Sequence, residues 1–195
     1  MLGDGVELIS TIKNADDLKQ HIDQMDVVIN LAGRPLAAVR WTEKKKSEFY
    51  ESRVNVTNLI SDAISMCENP PKVLISASAV GIYGNGGSVA LDEESDLGQD
   101  YLSELCSQWE KAANRSKDSG VRVCNVRLGI IIGREGGMLK QSIPSFDLGV
   151  GSYLGDGKQK IPWIHINDAV RAINFCIDRK ELSGAVNLTA PHPVS

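Results

Sequence analysis

Hydroxyl groups and small residues crowd the end of one apolar run, Val73–Ser76, before the chain reaches a Tyr83-Gly84 turn. Ser78 lies in this segment as a short donor near a rigid strand terminus, a position from which a hydroxyl can bond a substrate hydroxyl or carbonyl. A serine at this position can equally cap the next backbone turn. The residues alone leave both roles open.

A second apolar run, Val27–Leu31, ends in two small residues, Ala32 and Gly33. Small residues allow a flat or charged ligand to approach the backbone closely. Strands also end in Ala-Gly where the chain simply turns. The pattern therefore indicates either a ligand-binding strand end or an ordinary tight turn.

Two further groups combine charge with apolar surroundings. Arg127 lies within an apolar run that leads into a glycine-rich loop, so it needs a partner if it is buried, either a structural one or a substrate anion. His165 follows Trp163 directly before a helix that Asn167 or Asp168 can cap. A single histidine of this kind is either a hydrogen-bonded structural residue or a catalyst.

Short β-branched apolar runs alternate with longer amphipathic stretches, a pattern typical of a parallel sheet with crossover helices. The sequence therefore predicts an α/β fold. In such a sheet ligands bind beyond the carboxyl ends of the strands, where the groups above lie. Strands are predicted at Val27–Leu31, Val73–Ser76, Val121–Leu128 and Val186–Thr189. Helices are predicted at Ala15–Ile22, Thr42–Tyr50 with Thr42 as N-cap, Val54–Met66, Tyr101–Lys117 and Asn167–Asp178.

The bulk composition restricts the class of protein and its partners. A chain of 195 residues that is 42% hydrophobic and 24% charged suits one globular domain. The net charge of -4 provides no basic surface for nucleic acid or anionic lipid. The four cysteines match neither a zinc motif nor a disulfide framework, and no apolar run approaches the roughly 20 residues of a membrane span. We therefore expect a cytoplasmic protein with neither nucleic acid nor a membrane as partner.

Several long segments in a fixed order give the sequence a family resemblance that covers nearly all of the chain. It resembles the atypical extended short-chain dehydrogenase/reductases, in the branch usually described as sugar-nucleotide epimerases or NAD-dependent epimerase/dehydratase family proteins. The segments are VVINLAG, RWTEKKKSEFYESRV, PPKVLISASAVGIYG, LCSQWEKAA, RLGIIIGREGGML and PWIHINDAV.

The resemblance implies a Rossmann-like domain that binds NADP or NAD and a small-molecule substrate. Ser78 matches the Ser/Thr that touches substrate and nicotinamide, although one extra residue separates it from the Tyr-Gly turn compared with most relatives. His165 matches a substrate-side signature. The implied cofactor-binding residues are Leu31, Ala32, Gly33, Ser76, Ala77, Leu128 and Gly129, and the catalytic candidates are Ser78, Cys106, Glu110 and His165.

The helix after the serine strand departs from the wider superfamily, whose active members carry a YxxxK pair in which Tyr is the acid/base and Lys holds the ribose. If Glu110 aligns with the Lys, Cys106 takes the Tyr position. If Glu110 aligns with the Glu that often follows, Leu102 and Cys106 take the Tyr and Lys positions. Tyr101 is followed four residues later by Leu105 and does not restore the motif. A thiol can transfer a proton, but Glu110 would raise its pKa, so enzymatic activity stays open.

The sequence also lacks the unit with which the family opens, a strand, a GGTGxxG turn, a helix and a second strand. Residues 2–8 resemble the beginning of strand three, and residues 138–168 the beginning of the substrate-side region. We therefore expect residues 1–195 to form an incomplete Rossmann domain without the first βαβ unit, truncated at both ends. Such a domain would bind NAD(P) weakly and expose the Val27–Leu31 strand as an edge that favours self-association.

Three functions remain open. An oxidoreductase or epimerase acting on a small polar or nucleotide-linked substrate, with Ser78 polarising the substrate, is favoured by the polar groups at strand ends. A non-catalytic nucleotide-binding sensor or scaffold is favoured by the missing YxxxK pair. An inactive fragment is favoured by the missing amino-terminal unit.

Overall fold

Four parallel strands form the main sheet of the computed structural model, which describes residues 6–9, 11–36, 39–87, 89–134, 136–151 and 156–195, without the side chains of residues 138, 139 and 141. The order is β1-β2-β3-β6. The prediction of a parallel sheet is confirmed: the first three predicted strands pair in parallel in their order along the chain, and the fourth pairs with β3. The strands are β1 (Val27–Asn30), β2 (Val73–Ala79), β3 (Arg122–Leu128), β4 (Ile130–Ile132), β5 (Trp163–His165) and β6 (Gly184–Leu188).

Helices cover both faces of this sheet, as the α/β prediction requires. No helix within the described ranges is long and apolar enough to cross a membrane. The helices are α1 (Ala15–Ile22), α2 (Glu43–Tyr50), α3 (Val56–Ser65), α4 (Tyr101–Asn114), α5 (Gly137–Asp147) and α6 (Ile166–Asp178).

The two faces of the sheet bury alternate residues of the same strands, because successive side chains of a strand point to opposite sides. Leu74 of β2 packs with Ile64 of α3 and Ala113 of α4 on one face. Ile75 packs with Ala169 and Cys176 of α6 on the other. Burial on both faces explains why the strands read as continuous apolar runs rather than as alternating ones.

The helix boundaries follow capping chemistry. Thr42 caps α2 as predicted, since its side chain accepts from the Lys45 amide. The prediction that Asn167 or Asp168 caps α6 is wrong, because α6 begins at Ile166 and the His165 side chain accepts from the Asn167 amide. A π-helical turn, Glu51–Asn55, joins α2 to α3 without a break.

Three local elements differ from the sequence prediction. A separate two-stranded parallel sheet of β4 and β5 was not predicted, nor was α5 in the glycine-rich segment. Strands of three residues give too short a pattern to recognise, and Gly129 permits their approach because a Cβ there would lie 2.9 Å from the Pro162 carbonyl oxygen. The sequence at 2–8 resembles the beginning of strand three of the family. Residues 6–9, where the structure describes this segment, form no strand.

The outer side of β1 has no strand partner in the part of the chain that the structure describes. Ile29 is 47% exposed there, and Leu31, directly after the strand, is 55% exposed. The apolar edge expected from the sequence is therefore present. Self-association through it stays a prediction.

We expect Leu74→Ala to lower the free energy of unfolding by about 2–5 kcal/mol, because Leu74 is fully buried between the sheet and two helices. Leu148→Ala, at a residue that is 78% exposed, serves as the control and should change it by less than about 0.5 kcal/mol. Urea denaturation measures both. Equal effects would contradict the assignment of this face as the core.

Candidate functional site

The carboxyl ends of the strands bring several of the predicted residues to one edge of the sheet. In the register of the sheet, Asn30 lies beside Ser76, Ser78 beside Arg127, and Arg127 beside Asn187. Ala32 and Gly33 follow β1 at the same edge. His165 ends β5 in the second sheet, and its convergence with Ser78 on one cleft stays a prediction.

A buried ion pair occupies the interior beside this edge. The Ser78 hydroxyl donates to Glu110 Oε1 at 2.7 Å, and Arg127 donates to both Glu110 oxygens, from Nε at 2.8 Å and from Nη2 at 3.0 Å. All three residues are buried. Arg127 therefore has a structural partner, and the contact has the bidentate geometry of the strongest carboxylate–guanidinium pairs.

Tyr83 and two acceptors extend this ion pair into a network. Arg127 Nη1 donates to the Tyr83 hydroxyl at 2.8 Å, which donates to Asn187 Oδ1 at 2.7 Å. The Glu93 side chain accepts from the Asn187 amide at 2.7 Å, and the Glu93 carbonyl accepts from Arg127. Burial alone would lower the pKa of Arg127, but its bonds to Glu110 and Tyr83 raise it above its usual value. Arg127 is therefore a permanent cation.

The sequence did not assign functions to Tyr83, Glu93 or Asn187. Glu93 and Asn187 lie 94 positions apart in the chain, so no local pattern links them. The sequence indicated Tyr83 only as part of the Tyr83-Gly84 turn. The network could be anticipated only from the general requirement that a buried Arg127 be paired.

Ser78 is enclosed by this network. It is 2% exposed, and its hydroxyl proton is directed to Glu110 rather than to the solvent. Ser78 thus links β2 to α4. The role of Ser78 as a donor to substrate stays a prediction. It requires the hydroxyl to break its hydrogen bond to Glu110 and to direct its proton toward the substrate.

Cys106 lies on the same helix, one turn before Glu110, and is 4% exposed. Burial, with a smaller contribution from Glu110, raises the pKa of its thiol to about 11. The thiol is therefore neutral near pH 7. It is a poor general base in this structure, in agreement with the expected effect of Glu110.

Three of the predicted cofactor-binding residues, Ser76, Ala77 and Gly129, are buried. Ser76 is fully buried in β2, and its hydroxyl has no hydrogen-bond partner among the described residues. Ala77 packs against Phe49 and Trp109. Contact of either side chain with a cofactor stays a prediction. Leu128, next to Gly129, is half-buried between two apolar clusters.

The segment after β1 is more open. Leu31 and Gly33 are exposed, and the amide of Ala32 donates to Asn30 Oδ1 at 3.1 Å. Asn30 is itself fixed by a bond from its Nδ2 to Thr57 Oγ1 at 2.8 Å. The backbone at 31–33 is thus accessible and is tied to Asn30 through the Ala32 amide, which fits a flat ligand lying along it.

Arg53 is a residue near this segment that the sequence analysis did not identify. Its guanidinium lies beside Gly33, where a Cβ would be 3.1 Å from Arg53 Cζ. It also lies over the Trp109 ring, 5.3 Å from the centroid. Burial lowers the pKa of Arg53. Its place on a π-helical turn disrupts helical periodicity, so the sequence pattern did not indicate which way it points.

The side chains of Tyr101 and His165 make different hydrogen bonds. The Tyr101 hydroxyl donates to the Lys46 carbonyl at 2.9 Å, so it is held by α2. His165 is half-buried and accepts from the Asn167 amide through Nδ1. That contact uses Nδ1 as an acceptor and leaves Nε2 without a part in the cap.

Comparison with known proteins places this architecture in a family. Residues 8–188 match the sequence profile of the NAD dependent epimerase/dehydratase family. The chain is 40% identical to an epimerase family protein of Mycobacterium bovis over 174 residues. These residues make up 89% of this chain and 57% of the relative. The chain is 39% identical over 185 residues to a chloroplastic epimerase family protein of Arabidopsis thaliana, covering 94% and 53%. The chain thus spans little more than half the length of these relatives.

Solved structures agree with this assignment. A human epimerase family protein, determined with NADPH, superposes with a TM-score of 0.85 at 32% identity, over 92% of this chain and 62% of that one. A nucleoside-diphosphate sugar epimerase from Corynebacterium glutamicum superposes with a TM-score of 0.78 at 35% identity, over 93% and 37%.

We expect Ser78→Ala to lower the free energy of unfolding by about 1.5–3 kcal/mol, because it removes a buried hydrogen bond to a charged group. Ser65→Ala, at an exposed helix position, is the control and should cost less than about 0.5 kcal/mol. Denaturant titration measures both changes. A neutral Ser78→Ala would show that the hydroxyl is not a structural link.

We expect Cys106 to resist alkylation by iodoacetamide at pH 8 in the folded protein. With a pKa of about 11, only about one thiol in a thousand is ionised at that pH, and burial restricts access further. Cys67, which is partly exposed, is the internal comparison. Peptide mass spectrometry follows both residues, with urea-unfolded protein as the fully labelled reference. Labelling of Cys106 as fast as that of Cys67 would contradict this environment.

Proposed function

The chain belongs to the NAD dependent epimerase/dehydratase family, and on that premise we propose that it binds NADP or NAD and acts as an oxidoreductase or epimerase on a small polar or nucleotide-linked substrate. The observation that supports this most directly is the accessible backbone of Leu31, Ala32 and Gly33 at the carboxyl end of β1, where the Ala32 amide is bonded to Asn30. Ligands of parallel α/β sheets bind at such strand ends. NADP is the first cofactor to test, because the human relative was determined with NADPH.

The strand ends provide surfaces for the nicotinamide half of a dinucleotide. Leu31–Gly33 would lie along it, and Leu128 and Gly129 would border it from β3. The bound nicotinamide supplies hydride transfer. A GGTGxxG turn, whose amides hold the pyrophosphate in this fold, does not occur in the 195 residues, so we expect weak binding by this chain alone.

Among the four nominated catalytic side chains, His165 suits proton transfer best. Ser78 and Glu110 bond each other inside the network, and Cys106 is a buried neutral thiol. His165 is half-buried, and its Nε2–H is not used by the contact that caps α6. We therefore assign His165 the delivery of its Nε2 proton to a substrate oxygen from the imidazolium form. In that form Nδ1 carries the second proton and its contact with the Asn167 amide is released, and the transfer leaves a neutral imidazole.

A non-catalytic sensor is the second candidate. Ser78 favours this candidate. Its side chain was predicted to polarise a substrate, but its hydroxyl donates to Glu110 inside the core. Such a protein would bind the nucleotide without turnover. The two candidates thus differ in one measurable property, which is oxidation of the bound cofactor.

His165→Asn separates these functions, because asparagine keeps the N-cap of α6 but has no titratable proton. With NADPH and a panel of carbonyl compounds and nucleotide sugars, we expect His165→Asn to lower kcat on the order of a hundredfold while leaving stability within about 1 kcal/mol and NADPH binding unchanged. The absorbance of NADPH at ~340 nm follows turnover.

Tyr101→Phe is the control and should stay within a few-fold of the unaltered protein, because its phenol is held by a backbone carbonyl. A large loss in Tyr101→Phe would overturn the assignment of the acid. NADPH binding without turnover on any substrate would favour the sensor.

A further inference from the structure

Arg53 carries a half-buried positive charge at the carboxyl edge of the sheet, between the end of β1 and α4. Its guanidinium lies beside Gly33 and over the ring of Trp109. Trp109 belongs to α4 and lies about one turn after Cys106. The charge therefore lies where the open Leu31–Gly33 backbone meets the helix that lacks the YxxxK pair.

No carboxylate neutralises this charge among the residues that the structure describes. The bonds of Arg53 are from Nη2 to the Arg34 carbonyl at 2.8 Å and a long contact from Nη1 to Ser52 Oγ at 3.4 Å. By contrast, Arg127 and Arg115 each pair with an acidic side chain. A guanidinium has five N–H donors, so several of those on Arg53 remain for a ligand.

The orientation of the group is fixed by its surroundings. The Trp109 indole donates to Thr57 Oγ1 at 2.9 Å, which holds the ring over which the guanidinium lies. A planar cation held on an aromatic ring presents its N–H edge in a defined direction. An arginine in such a position is prepared to bind oxygen atoms of a ligand.

The superfamily places a lysine on the helix after the serine strand to hold the ribose, and one alignment of α4 puts Cys106 at that lysine position. Arg53 brings a cation from the neighbouring helical segment to the ring of Trp109, three residues after Cys106 on α4. We propose that Arg53 replaces the missing lysine, donating to ribose hydroxyl and phosphate oxygens of the nicotinamide half of bound NAD(P). This inference rests on the proposed function, since it names the residue that holds the proposed cofactor.

Arg53→Met tests the inference, because methionine keeps an apolar stem against Trp109 and removes the charge. We expect it to raise the Kd for NADPH roughly 10- to 100-fold, the effect of losing one or two charge-assisted bonds. Arg53→Lys should recover part of the affinity. Arg115→Met, which removes an arginine paired with Asp62 at the end of α4, is the matched control and should leave the Kd unchanged. Titration calorimetry with NADPH at millimolar concentrations measures the Kd of the unaltered protein and of the three variants.

A direct readout comes from the Nε–H signal of Arg53 in ¹⁵N-labelled unaltered protein, identified by its absence in Arg53→Lys. It should move with NADPH and with nicotinamide mononucleotide, and not with 2′,5′-ADP, which is the adenosine half alone. This readout applies even if Arg53→Met fails to fold. Movement of the Ala32 and Gly33 amides with NADPH while Arg53 Nε–H stays fixed, or an unchanged Kd in folded Arg53→Met, would overturn the inference. No response anywhere to NADPH would instead contradict the proposed function itself.

Discussion

Glu110 and Arg127 face each other inside the protein, where two charges are stable only if each neutralises the other. Their bidentate contact joins α4 to β3, and Ser78 and Tyr83 attach β2 and its following turn to the same pair. Asn187 then connects β6. The carboxyl edge of three adjacent strands is thus fixed by one charged contact and the polar groups around it.

This contact also determines which side chains are available for chemistry. Where the superfamily uses α4 to carry a phenol and an ammonium, this helix carries a buried thiol and a carboxylate that is already paired. In the function proposed above, proton transfer and ribose binding therefore need groups from outside α4. We propose His165, directly before α6, and Arg53, on the π-helical turn, for these two tasks.

The sequence predicted the elements that depend on short-range patterns. The apolar runs at β2 and β3 and their parallel order followed from burial on both faces, and Thr42 followed from capping chemistry. The short β4–β5 sheet was missed because Gly129 and Pro162 meet only after the chain has folded back over some thirty residues. The predicted α6 cap was two or three residues too late, because histidine is a rarer cap than Asn or Asp.

For the site, the sequence identified Arg127 and Glu110 separately but not as partners. A bond between residues on neighbouring elements is a property of strand register and helix rotation, neither of which the pattern specifies. The same limit concealed Arg53, whose neighbours Gly33 and Trp109 come from different segments. Residue types were therefore predictable at this edge, whereas their pairing was not.

The central claim is that Glu110 and Arg127 act as one structural unit, and a double-mutant cycle of Glu110→Gln and Arg127→Met tests it by denaturant unfolding. Each single change leaves a buried group without its partner and should cost about 3–5 kcal/mol. The double variant should be more stable than the sum of the two losses by at least about 2 kcal/mol, because neither charge is then left alone. Additive losses would contradict the account and show that the two residues stabilise the fold independently.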